Sequence, residues 1–176
     1  MRIISGKYKG RILAQNKKLK ARPTTDKAKE ALFNILNFRI DFEGVKALDL
    51  FSGTGNISFE LASRGVAEIT SVELRTDHVR HIQKLNTELG TDVKIIRDDV
   101  FRFIKKTSEK FDFVFADPPF DLVNFEAVFP AIHEAEIMNE GGLLIIEHGP
   151  RINLSKEPNF TETRNYGKVN FSFFQY

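Results

Sequence analysis

The sequence predicts an α/β fold in which a mostly parallel sheet is flanked by helices. Three observations carry this. From Val45 onward, short apolar runs alternate with stretches of helical periodicity. Most of those helical stretches end at a glycine or open on a turn residue. Near the end the alternation stops, and Phe160 to Phe174 reads as a hairpin turning at Asn165-Tyr166-Gly167-Lys168. Alternating strands and helices imply right-handed crossovers and a parallel sheet, and the closing hairpin adds an antiparallel C-terminal edge.

In chain order, Arg2 to Leu13 reads as a small N-terminal β-hairpin, with Ile3-Ile4 and Ile12-Leu13 flanking a turn between Gly6 and Gly10. On a strand, Lys7, Lys9 and Arg11 share one face. Pro23 biases Arg22 toward extended backbone, and Thr24, Thr25 or Asp26 can cap the helix that follows. Ala28, Leu32, Ile35 and Leu36 give that helix an apolar face. Strands are expected at Val45–Phe51, Glu68–Leu74, Val93–Arg97, Phe111–Ala116 and Gly142–Glu147. Helices are expected at Ile57–Arg64, Asp77–Leu89, Val100–Lys106 and Leu122–Ala135. Residues 1–21 form a basic arm and residues 22–176 the single main domain.

Composition narrows the functional classes. Hydrophobic residues make up 41% of the 176, enough for a real core. Cysteine is absent, which excludes disulfide frameworks and thiolate chemistry. No run approaches ~18 apolar residues, and the N-terminus lacks the apolar stretch of a signal peptide, so the expected location is cytoplasmic and no membrane is involved. The net charge of +2 conceals an asymmetry: residues 1–29 carry +9 and the remainder −7. A basic segment on an acidic body suits docking to a polyanion, although such a segment is often just a solvated arm.

Ligands on sheets of this type bind outside the carboxyl ends of the strands, so the loops there carry the chemistry. Asp49-Leu50-Phe51-Ser52-Gly53-Thr54-Gly55-Asn56 follows the first strand and opens a helix. Gly53 and Gly55 let the backbone approach a ligand, which also fits a dinucleotide site. Two features weigh against a dinucleotide. The place of a third glycine is taken by Ser58, and Asp49 would repel a pyrophosphate. An acid at that position suits a ligand carrying an ammonium and a sulfonium. Glu73 ends the second strand, where an acid can accept from two ribose hydroxyls. Asp98-Asp99-Val100 follows the third: Asp99 can accept from an adenine amino group while the Val100 amide donates to the ring, or the acids can simply cap the next helix. Asp117-Pro118-Pro119-Phe120 follows the fourth. Its two prolines stiffen the loop, so Asp117 and the Pro118 carbonyl are fixed acceptors for an amine attached to a heterocycle, and Phe120 can stack on the base.

These motifs, in this order, resemble the Rossmann-like class I methyltransferases with an [Asn/Asp]-Pro-Pro-[Phe/Tyr] loop. Arg2-Ile3-Ile4, the Gly6–Arg11 stretch, Arg22-Pro23-Thr24-Thr25-Asp26 and Glu30–Leu36 further resemble the N-terminal signature of the RsmD family. The resemblance implies a cytoplasmic enzyme that transfers a methyl group from S-adenosylmethionine to the exocyclic N2 amine of a guanine in small-subunit (16S) ribosomal RNA. It implies that Asp49, Phe51, Gly53, Thr54, Gly55 and Asn56 frame the methionine part of the cofactor. Glu73 and Leu74 would serve its ribose side, Asp99 and Val100 its adenine, and Asp117 to Phe120 the guanine. The Arg22–Asp26 stretch would lie over the active site. Arg2, Lys7, Lys9, Arg11 and Arg22 are the candidate contacts to RNA, free or within the assembled subunit. No metal is called for, and the small chain lacks an obvious self-associating stripe, so a monomer is expected. Asn56-Ile57-Ser58-Phe59 departs from the smaller residues often found there in the family. Rival readings are a methyltransferase for another base, such as adenine in DNA, a nicotinamide-linked oxidoreductase, and a non-catalytic RNA-binding module.

Overall fold

The computed structural model describes residues 2–13, 26–119 and 122–176. Five helices are described: α1 (Asp26–Leu36), α2 (Asn56–Ser63), α3 (Thr76–Leu89), α4 (Val100–Lys106) and α5 (Val128–Glu134). Seven strands form one sheet: β1 (Lys46–Leu50), β2 (Glu68–Glu73), β3 (Lys94–Arg97), β4 (Phe111–Ala116), β5 (Met138–His148), β6 (Phe160–Tyr166) and β7 (Val169–Gln175). Their order is β3-β2-β1-β4-β5-β7-β6. The first five strands run parallel, and β7 and β6 complete an antiparallel edge. The order reverses direction between β1 and β4, and that switch point opens a crevice at the carboxyl ends of the strands.

Strand alternation divides the core in two. Ala47, Ile69, Phe113, Phe115 and Ile145 meet α1, α2 and α3 on one face. Leu48, Leu50, Val72, Val114 and Ile146 meet α4 and α5 on the other. Asp49, Glu73 and Glu147 continue the first set, so their side chains emerge on the α1–α3 side.

Three expected elements differ. The helix expected over Leu122–Ala135 is a short 3-10 turn at Phe125–Ala127 followed by α5. Pro130 supplies the reason: without an N–H it fits only the first turn, so α5 must begin just before it. The strand expected from Gly142 begins at Met138, and its pairing with β4 breaks register between Phe111 and Phe113. Gly141, at φ 77°, lies in that irregular stretch, and its glycine-rich surroundings read as a loop. At the N-terminus the expected hairpin is closed by a single bridge between Arg2 and Ile12, and residues 7–10 form turns. Lys7, Lys9 and Arg11 therefore do not share a strand face.

The N-terminal segment is fastened to α2 instead. The Lys7 amide donates to the Ser63 carbonyl at 2.7 Å and the Tyr8 amide to Ser63 Oγ at 2.9 Å. Gly6, at φ 80°, lies so close that an added Cβ would be 1.7 Å from the Ser63 carbonyl oxygen. Gly6→Ala therefore detaches the segment. We expect a loss of about 1–3 kcal/mol in thermal unfolding and faster proteolysis after Lys7 and Lys9.

A second fastening is charged and buried. The Lys29 ammonium, fully buried in α1, donates to the Arg2 carbonyl at 2.6 Å and to Asn56 Oδ1 at 2.8 Å, and lies 3.4 Å from Glu60. Glu60, also fully buried, accepts from the Ile4 and Ser5 amides and from Arg64 Nε. One network thus joins α1, α2, the N-terminal segment and the end of the glycine turn.

Candidate active site

The glycine turn bends sharply. Phe51 has φ 59°, an uncommon conformation for a bulky residue, and Gly53 and Gly55 follow at φ 55° and 78°. Gly55 caps the N-terminus of α2, where a Cβ would approach Phe59 to 2.8 Å. Above Gly53 a Cβ would meet only the Phe51 carbonyl oxygen at 3.8 Å, so the backbone there is open to a ligand. The turn is tied to β2 by the Ser52 amide and Oγ, both donating to the Val72 carbonyl at 3.0 Å.

Asp49 lies beneath this turn. It accepts from the Ser58 amide at 3.1 Å and from Ser58 Oγ, and Ser58 in turn contacts Ser71. Ser58, in the place of a third glycine, thus anchors the acid. Burial pushes the Asp49 carboxyl up to about 7, against the two Ser58 hydrogen bonds and with help from the charge of Glu73. Glu73 ends β2 with Oε2 accepting from the Gly53 amide and Oε1 from the Arg75 amide, both at 2.8 Å. Leu74, just beyond it, is one of the few exposed large apolar residues.

Asp99 caps α4 by accepting from the Arg102 amide at 3.0 Å, and Asp98 pairs with the Arg102 guanidinium. Of the two readings of this acidic pair, the helix cap is observed, at the end of β3 and next to Glu73 on β2. Val100 is buried behind it. Phe51 meets Phe101 edge-on at 6.5 Å between centroids.

Across the switch point, Asp117 leaves β4 with its amide donating to the Leu50 carbonyl at 3.3 Å, which ties this loop to the end of β1. The residue as a whole is half-buried. Desolvation of its carboxyl, then the charges of Glu147 and Asp49, hold that group well above the usual carboxylate range. Pro118 is buried and Pro119 exposed. Phe120 and Arg22 lie outside the described residues. Arg2, Lys7, Lys9 and Arg11 are exposed.

The fold thus brings Asp49, Glu73 and Asp117 to one end of the sheet, together with an acid that sequence reasoning missed. Glu147, on β5, is 3% exposed and follows Ile146, which pairs with Ala116 next to Asp117. Its signal is in the sequence: it follows the apolar run Leu143-Leu144-Ile145-Ile146 near the end of an expected strand, and Asp49 and Glu73 also stand near strand ends. A set of carboxylates with an open amide turn suits a ligand that brings positive charge and hydroxyl donors. A pyrophosphate fits poorly, because Glu73 already occupies the Gly53 amide and Asp49 lies below it. Asn56 Nδ2, buried and without a partner, is a further donor beside the turn. The residues present therefore fit S-adenosylmethionine.

The family model described as "Conserved hypothetical protein 95" matches residues 1–175. The chain belongs to the RsmD family of S-adenosylmethionine-dependent methyltransferases. Among similar family proteins, YlbH of Bacillus subtilis is 33% identical over 88% of this chain and 85% of its own length. Ribosomal RNA small subunit methyltransferase D of Buchnera aphidicola subsp. Baizongia pistaciae is 31% identical over 99% of this chain and 91% of its own. A hypothetical protein of Thermus thermophilus superposes with a TM-score of 0.88 at 27% identity, covering 100% of this chain and 99% of its own. The T. thermophilus 16S rRNA N2 G1207 methyltransferase RsmC, solved with AdoMet and guanosine, has the same fold at a TM-score of 0.71 and 23% identity. The match covers 89% of this chain and 44% of that one.

Proposed function

We propose that this family member methylates the exocyclic N2 amine of a guanine in small-subunit ribosomal RNA, acting as a cytoplasmic monomer. The observation that carries the reading is the desolvated Asp117 carboxyl, held on a two-proline loop at the switch point and near the acids of the glycine turn. The small-subunit methyltransferase naming of the Buchnera relative supports the RNA target. S-adenosylmethionine supplies an activated methyl group when bound.

The chain's own residues do the rest by alignment and charge. Asp49 and the Phe51–Asn56 turn receive the amino-acid end of the cofactor. Glu73 accepts from the ribose, with Leu74 beside it, and Asp99 and Val100 flank the adenine. Asp117 and the Pro118 carbonyl accept the two amine protons of guanine. The nitrogen lone pair is delocalised into the ring, so orienting it and stabilising the charge it gains is the main catalytic task. The positive charge of the bound cofactor favours the ionised form of Asp117, which then takes the surplus proton or passes it to water. Phe120 stacks on a base that has left its helix or loop, a displacement that costs a few kcal/mol and that phosphate contacts offset.

The elevated Asp49 carboxyl gives a direct test. A cationic cofactor favours its ionised form, so below about pH 7 binding must expel a proton. Calorimetric titration should show S-adenosylmethionine binding more weakly as pH falls from 8 to 6, by up to about tenfold per unit. Asp49→Asn should remove most of that slope. A wild-type affinity that is flat with pH, or tighter in acid, contradicts the placement.

Arg2 and Arg11 contact phosphates flanking the target. Reversing both charges should weaken RNA binding at every sequence and reduce the salt slope by about one per lost contact, read by filter binding between about 50 and 200 mM salt. An unchanged slope removes them from the interface.

A further inference from the structure

Among the described residues, the buried side-chain nitrogens and oxygens without a hydrogen-bond partner belong to two residues, Asn56 and His78. His78 stands out because both ring nitrogens are affected. It sits in the first turn of α3, 5% exposed, with Nδ1 3.6 Å from Glu73 Oε2. That separation is just beyond hydrogen-bond reach. A buried imidazole with neither nitrogen satisfied is disfavoured, and a protein keeps such a group only where something else requires it.

The surroundings narrow what that is. Glu73 accepts from two backbone amides, Gly53 on Oε2 and Arg75 on Oε1. The nearest guanidinium is diverted: Arg75 makes a two-pronged pair with Asp77, at 3.1 and 2.7 Å. The Asp77 carboxylate also accepts from the His78 amide at 3.1 Å, within the first turn of α3. Asp77, its chain neighbour, and His81, one turn along, both sense His78. His78 is therefore the one side chain among these aimed at the Glu73 carboxylate without already being spent elsewhere.

We propose that His78 is a positioning residue for the cofactor's ribose. When the two ribose hydroxyls bind Glu73, the carboxylate settles by a few tenths of an ångström and takes the Nδ1–H of His78. The imidazole then holds Oε2 beside the Gly53 amide, and Oε1 turns its remaining lone pair to the ribose hydroxyls. Nδ1 must carry the proton for this, so the required tautomer is defined. The inference rests on the reading of Glu73 as the ribose acceptor.

The test uses the intact chain and the unreactive product S-adenosylhomocysteine as ligand. Asparagine places an amide N–H close to the position of Nδ1, whereas glutamine reaches toward Nε2 and leucine offers no donor. Calorimetry should give His78→Asn an affinity within about threefold of wild type, with His78→Leu and His78→Gln weaker by about tenfold or more. The 15N spectrum of the His78 ring should show the Nδ1–H tautomer, and its signal should move on ligand binding. In turnover, His78→Leu should raise the KM for S-adenosylmethionine and leave the KM for RNA unchanged. Three variants of equal affinity, or a ring signal that ligand does not move, overturn the proposal while wild type still binds. A wild-type protein that binds neither S-adenosylmethionine nor S-adenosylhomocysteine would instead defeat the cofactor reading itself. Thermal unfolding of each variant separates lost binding from lost fold.

Discussion

Asp117→Ala is expected to lower the rate of methyl transfer by roughly a hundredfold to ten-thousandfold without unfolding the protein. Two effects combine here. The amine nitrogen is a weak nucleophile until its protons are held, and Asp117 on its stiff loop is the acceptor placed to hold them. The same carboxyl is desolvated near Glu147 and Asp49, so its ionised form is disfavoured in the folded state. Its native titration lies above the unfolded one, so between those two limits the folded state holds the extra proton. Stability contributed by this group is therefore lost as pH rises through that window. Removing it relieves the burden, and at pH 8 the thermal midpoint of Asp117→Ala should equal or exceed that of wild type. Lost activity with a retained or raised midpoint assigns a catalytic role. A variant that turns over normally would return the site to the non-catalytic reading.

Glu60→Ala is expected to have the largest effect on stability, about 3–5 kcal/mol. The substitution leaves the Lys29 ammonium buried without its carboxylate and strips partners from the Ile4 and Ser5 amides and from Arg64. Urea unfolding should show a lower midpoint, and hydrogen exchange at Ile4 and Ser5 should accelerate before the core opens. Because Lys29 also holds Asn56 at the start of α2, the loss should reach the glycine turn and weaken cofactor binding. A drop below about 1 kcal/mol would mean that solvent replaces the network.

Much of the site was legible because strand ends announce themselves. Asp49, Glu73 and Asp117 each stand at or next to the end of an expected strand with a distinctive loop after it, so the alternation of strands and helices places these acids at one end of the sheet. The network under the N-terminal segment was hidden by its residue types. Lys29 and Glu60 lie in helices where lysine and glutamate ordinarily face water, and nothing local shows that the segment from Arg2 to Tyr8 will cover them. The fastening of the N-terminal segment was hidden for a related reason: Gly6 and Gly10 signal turns, yet the amides of Lys7 and Tyr8 donate to Ser63, far along the chain. His78 left no trace either, because a polar residue in the first turn of a helix is ordinary until β2 closes beside it.

The most direct test is methyl transfer from labelled S-adenosylmethionine to small ribosomal subunits lacking the modification, followed by nucleoside analysis. Wild-type protein should place label in N2-methylguanosine, and Asp117→Ala almost none. Label in a methylated adenine would contradict the base assignment. No label in subunits, free ribosomal RNA or DNA, from a protein that binds the cofactor, would contradict the catalytic reading.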